Sequence, residues 1–315
     1  MKGFMNTYAI AFDVGGSFIK SAVLNQDGEV VPNSYAIFPS KSKESRENII
    51  KHLVFLIKEQ VNRILDINFK ITGVGYAFPG PFDYENGISY IKDVDKFEQL
   101  YNVNLRQLLL SKLRKDHLFK SKIHDDFQIV FENDANLFAL GEQIAGNAGS
   151  YKKTIFITIG TGAGSAFMEN GKLIKNRHDV PKNGWIYNQP FKNSIVDDYI
   201  SKRGILRLAK NLDITVAGDE VKTLAEMAQS GNPKAREVFY EFGKNIGEVL
   251  NSHILTFRPD AIIFGGQIAK SKALFIDGIF EVLEDKTVTI DCSLENSFHT
   301  FIGVANLLSQ AVPKK

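Results

Sequence analysis

Apolar and polar positions fall into the same order twice along this chain. Residues 8–24 (YAIAFDVGGSFIKSAVL) read as two apolar strands joined by a glycine turn. Asn25-Gln26-Asp27-Gly28 follows, with Asp-Gly as a hairpin signal, and a third short strand is expected at 29–31. Residues 154–174 repeat the plan: the strand TIFITI, the turn Gly160-Thr161-Gly162-Ala163-Gly164, the strand SAFM, Asn170-Gly171, then Lys172-Leu173-Ile174. The two copies lie roughly 145 residues apart, and such duplication predicts two related halves.

Between the copies the period changes. Ile50, Leu53, Ile57, Val61 and Ile64 follow helical spacing, with Ser42 or Ser45 placed to cap the start. Residues 67–78 (INFKITGVGYAF) turn strand-like and end at Pro79-Gly80-Pro81. A second helix is expected over 105–113, and QIVFEND (128–134) reads as a buried strand running into a helix that starts near Ala135. After the second copy the pattern is mainly helical. Its longest helix is predicted from the cap Asn232 and Pro233 through Leu255. The strand DAIIF ends at Gly265-Gly266, and a last apolar helix is expected at 303–312.

Composition narrows the class. At 315 residues the chain is about two domains long, taking roughly 150 residues per domain. It is 44% hydrophobic and 23% charged, which supports a sizeable core and excludes a disordered or fibrous chain. Lys and Arg total 38 against 36 for Asp and Glu, a net charge of +2 without a charge block, so the expectation is no nucleic-acid and no membrane partner. Cys292 is the one cysteine, which excludes an internal disulfide, a four-thiolate metal site and a CxxC redox pair. Apolar runs such as AIIF (261–264) fall short of the roughly 18 residues that span a bilayer. The start MKGFMNT lacks a signal-peptide core, so a cytoplasmic protein is expected.

The glycine turns carry the first candidate chemistry. A glycine turn lets backbone N–H groups approach an anion without a Cβ in the way. Asp13 precedes Val14-Gly15-Gly16-Ser17, and a carboxylate beside a phosphate cradle implies an intervening cation such as Mg²⁺, bound directly or through water. Alone, this turn is equally a plain hairpin. With Gly160-Thr161-Gly162 from the other half, two turns facing across a cleft would clamp a polyphosphate. GxxxxGK[ST], GxGxxG and GxSxG are absent, which argues against a P-loop, a dinucleotide turn and a hydrolase elbow. Glu132-Asn133-Asp134-Ala135-Asn136 ends an apolar strand, where open α/β sheets meet ligands. Asp134 there is either a base for an attacking hydroxyl, with Asn133 binding neighbouring hydroxyls, or a helix cap. His52, His117, His124, His178, His253 and His299 show no metal-ligand spacing. Lys152-Lys153 reads as a solvated strand end that would also suit a polyphosphate donor.

Five segments in order resemble the ROK family (repressors, open reading frames and kinases): Asp13-Val14-Gly15-Gly16-Ser17 with Lys20, residues 75–83 (GYAFPGPFD), residues 132–136, residues 160–164, and residues 260–266 (DAIIFGG). The resemblance implies a duplicated actin-like ATPase (ribonuclease H-like) α/β fold, two α/β domains around a central cleft. Its domains would be 1–130, completed by a C-terminal helix at 301–315, and 131–300. It implies a sugar kinase using ATP and Mg²⁺ on a hexose or amino sugar, working as a homodimer. By the same resemblance Asp13 lies near the metal and phosphates. Gly15, Gly16, Ser17, Lys20, Gly160, Thr161 and Gly162 hold the nucleotide's phosphates, and Gly265 and Gly266 approach the adenosine. Asp134 is the general base, and Asn133 and the loop at Gly80 touch the sugar. The repressor branch carries an N-terminal helix-turn-helix, and with the first motif only a few residues after Met1 none is expected here.

The chain departs from the family where a Gly-Glu-x-Gly-His motif and a cysteine-rich zinc cluster usually stand. Trp185 occupies the register of the sugar-binding Glu and Asn188 that of the His, and no cysteine lies near, so no zinc site is expected. Trp185 is an apolar anchor or a stacking platform for a sugar face. Residues 195–201 (IVDDYIS) resemble the segment where a second Glu binds sugar, and Asp197 matches it one methylene shorter. Three readings stay open: an ATP-dependent kinase, a polyphosphate-dependent glucokinase, and an inactive sugar or nucleotide sensor.

Overall fold

A computed structural model describes residues 5–311 except 94, 217, 219, 294 and 295. The chain divides into two compact units, Met1–Ala145 with Ser297–Lys315, and Gly146–Asn296.

The first unit opens with β1 (Asn6–Val14), β2 (Phe18–Leu24) and β3 (Ala36–Pro39), followed by α1 (Arg46–Val61) and β4 (Phe69–Ala77). A small sheet of β5 (Phe82–Asp83), β6 (Ile88–Ser89) and β7 (Val103–Asn104) leads to α2 (Leu105–Lys115) and α3 (His117–Lys122). Then come β8 (Ile123–Glu132) and α4 (Asp134–Ala145). The main sheet runs β3-β2-β1-β4-β8, antiparallel among the first three and parallel thereafter. Ile10, Phe12 and Ile19 alternate onto one face and pack with Leu53, Ile57 and Tyr76 in the core. Ser45 caps α1 by accepting from the Asn48 N–H at 3.4 Å.

The second unit repeats this sheet. It contains β9 (Lys153–Ile159), β10 (Ala163–Glu169), β11 (Lys172–Leu173), the short pair β12 (Pro190–Phe191) and β13 (Ser194–Ile195), then α5 (Lys202–Asn211), α6 (Val221–Gln229) and α7 (Pro233–Phe257). β14 (Ala261–Gly265), α8 (Lys272–Val282) and β15 (Thr289–Cys292) complete it. The order β11-β10-β9-β14-β15 has the same pattern of antiparallel and parallel neighbours. Its core gathers Ile155, Ile157, Phe167, Phe239, Phe242 and Phe264. Asn232 caps α7, accepting from the Ala235 N–H at 3.0 Å, with Pro233 in the first turn.

α9 (Asn296–Ala311) belongs to the first unit. It lies on the sheet face made shallow by Gly73 and Gly75, where added Cβ atoms would come within 2.6 Å of Leu308 and 2.3 Å of Val304. It also crosses α4 closely: a Cβ on Gly141 would lie 1.7 Å from the His299 carbonyl oxygen. The corresponding crossing of α7 and α8 uses Gly243, whose Cβ would lie 2.0 Å from the Phe275 oxygen.

Three expectations are corrected. The third strand of the first copy is β3, not 29–31. The hairpin at Gly28 forms, but Val30 makes only an isolated bridge to Leu24, because Pro32 lacks an N–H and Asn33 adopts φ 63°. The first unit runs to Ala145 instead of 130, because α4 packs on α9. The last helix starts at Asn296 and not at 303, and residues 312–315 of its expected span lie outside the described residues. Among the described residues no helix is long and apolar enough to cross a membrane.

Candidate active site

In the first unit the β1–β2 turn closes with a hydrogen bond from the Gly15 N–H to the Phe18 carbonyl at 2.9 Å. A Cβ on Gly15 would sit 2.9 Å from that oxygen, so only glycine fits the turn without a shift. Ser42 donates to the Gly16 carbonyl at 2.6 Å, as does Ser40, and the Ser40 N–H donates to the Ser17 carbonyl at 2.9 Å. The turn's carbonyls are thereby held from behind. The N–H groups of Gly16 and Ser17 have no backbone acceptor among the described residues.

Asp13 stands opposite Lys20 in the β1–β2 register, with its carboxylate 3.6 Å from the ammonium. Lys20 also donates to Ser297 Oγ at 2.8 Å, at the start of α9. Loss of hydration pushes the Asp13 carboxyl above the usual carboxylate range; Lys20 opposes this and the charge of Asp134 adds to it. Asp134 begins α4 and is exposed. Protein crowding around it raises its carboxyl too, against the Ala135 N–H, which it accepts at 3.0 Å, and the cation of Lys96. The Lys96 stem lies over Gly16, its Cδ 3.1 Å from where a Cβ would stand.

Asn133 is fixed on both sides. Its Oδ1 accepts from the Ala135 N–H at 3.0 Å, its Nδ2 donates to Tyr84 Oη at 3.4 Å, and Tyr84 donates to the Phe78 carbonyl at 2.9 Å. A Cβ on Gly80 would lie 3.3 Å from the same Tyr84 oxygen. Beneath them Glu132 Oε1 accepts from the Asn133 N–H and from Asn136 Nδ2, each at 2.9 Å. The first unit therefore brings Asp13, Lys20, the first glycine turn and Asp134 into one electrostatic group, with Asn133 and Gly80 joined by Tyr84.

In the second unit the β9–β10 turn closes through the Gly160 N–H and the Gly162 carbonyl at 2.9 Å. The N–H groups of Thr161 and Gly162 have no backbone acceptor among the described residues, matching the first turn. Gly266, at φ 91°, runs against the end of β9; a Cβ there would lie 2.2 Å from the Ile159 oxygen. Gly265 pairs with Thr158, so the two glycine segments of this unit adjoin. Asp197 is at the turn as well. Its Oδ1 accepts from the Ala163 N–H at 2.6 Å and its Oδ2 pairs with Arg203. Trp185 packs against Tyr187 at 5.9 Å between ring centroids, its indole N–H buried and without a partner among the described residues, while Asn188 is exposed.

A model of the ROK family matches residues 9–293. The chain belongs to the ROK family. Among its relatives, a xylose repressor of Caldicellulosiruptor bescii is 22% identical over 96% of this chain and 75% of that protein. A glucokinase of Thermotoga maritima is 23% identical over 89% of this chain and 86% of that protein. A ROK family glucokinase from Streptomyces griseus, crystallised with glucose and AMPPNP, has a TM-score of 0.74 at 20% identity, covering 96% of this chain and 100% of that one. The fold is the actin-like ATPase fold of such ROK neighbours.

Sequence reasoning missed Tyr84, Lys96, Ser297 and Arg203. Tyr84 and Lys96 stand between regular elements, where no periodicity points inward. Arg203 left a signal: a cation in the first turn of a helix opposes the helix dipole and calls for a carboxylate partner.

Proposed function

We propose that this ROK protein is an ATP-dependent kinase that moves the γ-phosphoryl group to a hydroxyl of a hexose or amino sugar. The observation that carries this is the coupling of Asp134 to Asp13: a reachable, raised carboxylate shares its surroundings with the carboxylate of a glycine turn. Similarity to glucokinases over most of the chain supports it.

Asp134 accepts the proton of the sugar hydroxyl, and loss of hydration raises its carboxyl, which makes it a stronger base than a solvated carboxylate. Asn133, held by Tyr84, and the backbone at Gly80 orient the sugar. In the first unit the N–H groups of Gly16 and Ser17, with Lys20, are the donors for phosphate; in the second, those of Thr161 and Gly162 are, and Gly265 and Gly266 leave room for the adenosine. Phosphoryl transfer has a loose transition state, so placement and charge stabilisation outweigh the base.

Magnesium fits these residues. Burial and the charge of Asp134 raise the Asp13 carboxyl with Lys20 an incomplete counterweight, and no cage of three ligands gathers among the described residues. That is the donor set of an ion held by one or two carboxylates and by phosphates. Asp13 would hold it, directly or through water. When bound, the ion neutralises phosphate charge.

A coupled assay over hexoses and amino sugars tests the reading. One sugar should turn over, and Asp134→Asn should lower kcat at least about a hundredfold with ATP affinity nearly unchanged. A protein that binds ATP yet turns over no sugar would favour a second reading, a sugar-binding sensor. The similarity to the xylose repressor and Trp185 in the register of a sugar-binding Glu favour that one.

A further inference from the structure

We propose that Asp197 and Arg203 form a positioning pair for the second glycine turn, so that this carboxylate serves the phosphate donor and not the sugar. The inference rests on the kinase reading and assigns one of its parts. Both carboxylate oxygens are engaged: Oδ1 by the Ala163 N–H at 2.6 Å, Oδ2 by the Arg203 guanidinium. The carboxylate lies against the turn itself, 3.1 Å from where a Cβ of Gly162 would stand. A sugar hydroxyl would have to share an oxygen already held by a backbone N–H or by a guanidinium, which weakens it as an acceptor for sugar.

The neighbouring contacts serve the same turn. The Lys202 N–H, at the start of α5, donates to the Gly160 carbonyl at 2.9 Å, and Ser201 Oγ donates to the Asp197 carbonyl at 2.5 Å. The Asp197 N–H is held by the Tyr187 carbonyl at 2.9 Å. Residues 197–203 thus grip the turn through one carbonyl and one N–H, leaving Thr161 and Gly162 free to donate.

Arg203 answers an electrostatic difficulty. An uncompensated carboxylate beside a phosphate-binding turn would repel the phosphate. The guanidinium pairs with Asp197 and reaches Asp198 Oδ1 at 3.4 Å. The Asp197 side chain is 15% exposed and that of Arg203 55%, so the anion is shielded and the cation is presented.

MgADP and glucose are titrated separately by calorimetry into the wild type, Asp197→Ala, Asp197→Asn and Arg203→Met, with thermal midpoints measured alongside. Asp197→Ala should weaken MgADP about tenfold while the glucose titration matches wild type. Asp197→Asn keeps an acceptor for Ala163 and should stay within about threefold. Arg203→Met leaves the carboxylate bare and should weaken MgADP more at low salt than at high salt. Unchanged MgADP affinity in Asp197→Ala, or a loss confined to glucose, overturns the inference alone. A wild type that binds no nucleotide overturns the kinase reading and this inference together. A wild type that binds MgADP without turning over sugar overturns the kinase reading and still tests the pair.

Discussion

At the scale of a residue, Tyr84 ties Asn133 to the loop at Gly80, the side assigned to the sugar in the kinase reading proposed above. Its hydroxyl is shared by the Phe78 carbonyl at 2.9 Å and Asn133 Nδ2 at 3.4 Å, and it borders Gly80. Tyr84→Phe keeps the ring on Phe82 and removes only the oxygen. Of the two hydrogen bonds lost, the one that holds Asn133, worth about 1 kcal/mol, predicts a sugar KM about fivefold higher with the ATP KM unchanged. Steady-state kinetics with each substrate varied checks this, and a rise confined to ATP would contradict it. The residues legible in the sequence were those in contiguous motifs: Asp13 with its glycines, and Asn133 with Asp134. Asp197 was legible as a position, but its partners, the Ala163 N–H and Arg203, were not, because spacing does not reveal which N–H a carboxylate faces. Tyr84 was hidden for a related reason: its partners lie on two other elements.

Among the elements, the strands and helices with strong periodicity or caps matched their expected places. α7 starts at its Asn-Pro signal, and α1 is capped by Ser45, one of the two serines considered. The failure at β3 came from an edge strand of four residues with alternating partial exposure, whose apolar signal is weak, displaced by the break at Pro32 and Asn33. The extent of α9 was illegible because its close partner is α4, distant in sequence, and the contact is backbone against glycine. That contact makes a strong prediction. Gly141→Ala puts a methyl 1.7 Å from the His299 oxygen, so the two helices must part. The variant should lose about 3 kcal/mol or more in urea unfolding, although alanine favours an isolated helix by up to about 1 kcal/mol over glycine. A stability equal to wild type would show that the helices separate freely.

For the whole molecule, the duplicated sheets carry separate cores, and a buried histidine ties the stability of the second unit to pH. In the second unit His253 is 8% exposed, set edge-on to Phe167, with Nε2 donating to Gln189 Oε1 at 3.0 Å. Burial lowers its pKa from 6.5 to about 4. The folded chain therefore stays neutral at His253 while the unfolded chain takes a proton below pH 6.5, so this residue makes stability fall as pH drops from about 6.5 to about 4. Between pH 7 and pH 5 the loss amounts to about 2 kcal/mol. Trp185, the only tryptophan, belongs to this unit and reports its unfolding by fluorescence. His253→Gln removes the titrating ring, so urea transitions followed through Trp185 should show a smaller drop from pH 7 to pH 5 than wild type, by about those 2 kcal/mol. Equal drops in the two proteins would mean that His253 is protonated in the folded unit, and the acid sensitivity would then have to come from other groups. A smaller drop would place the acid-labile step in the half that carries the second glycine turn and assign it to this core histidine.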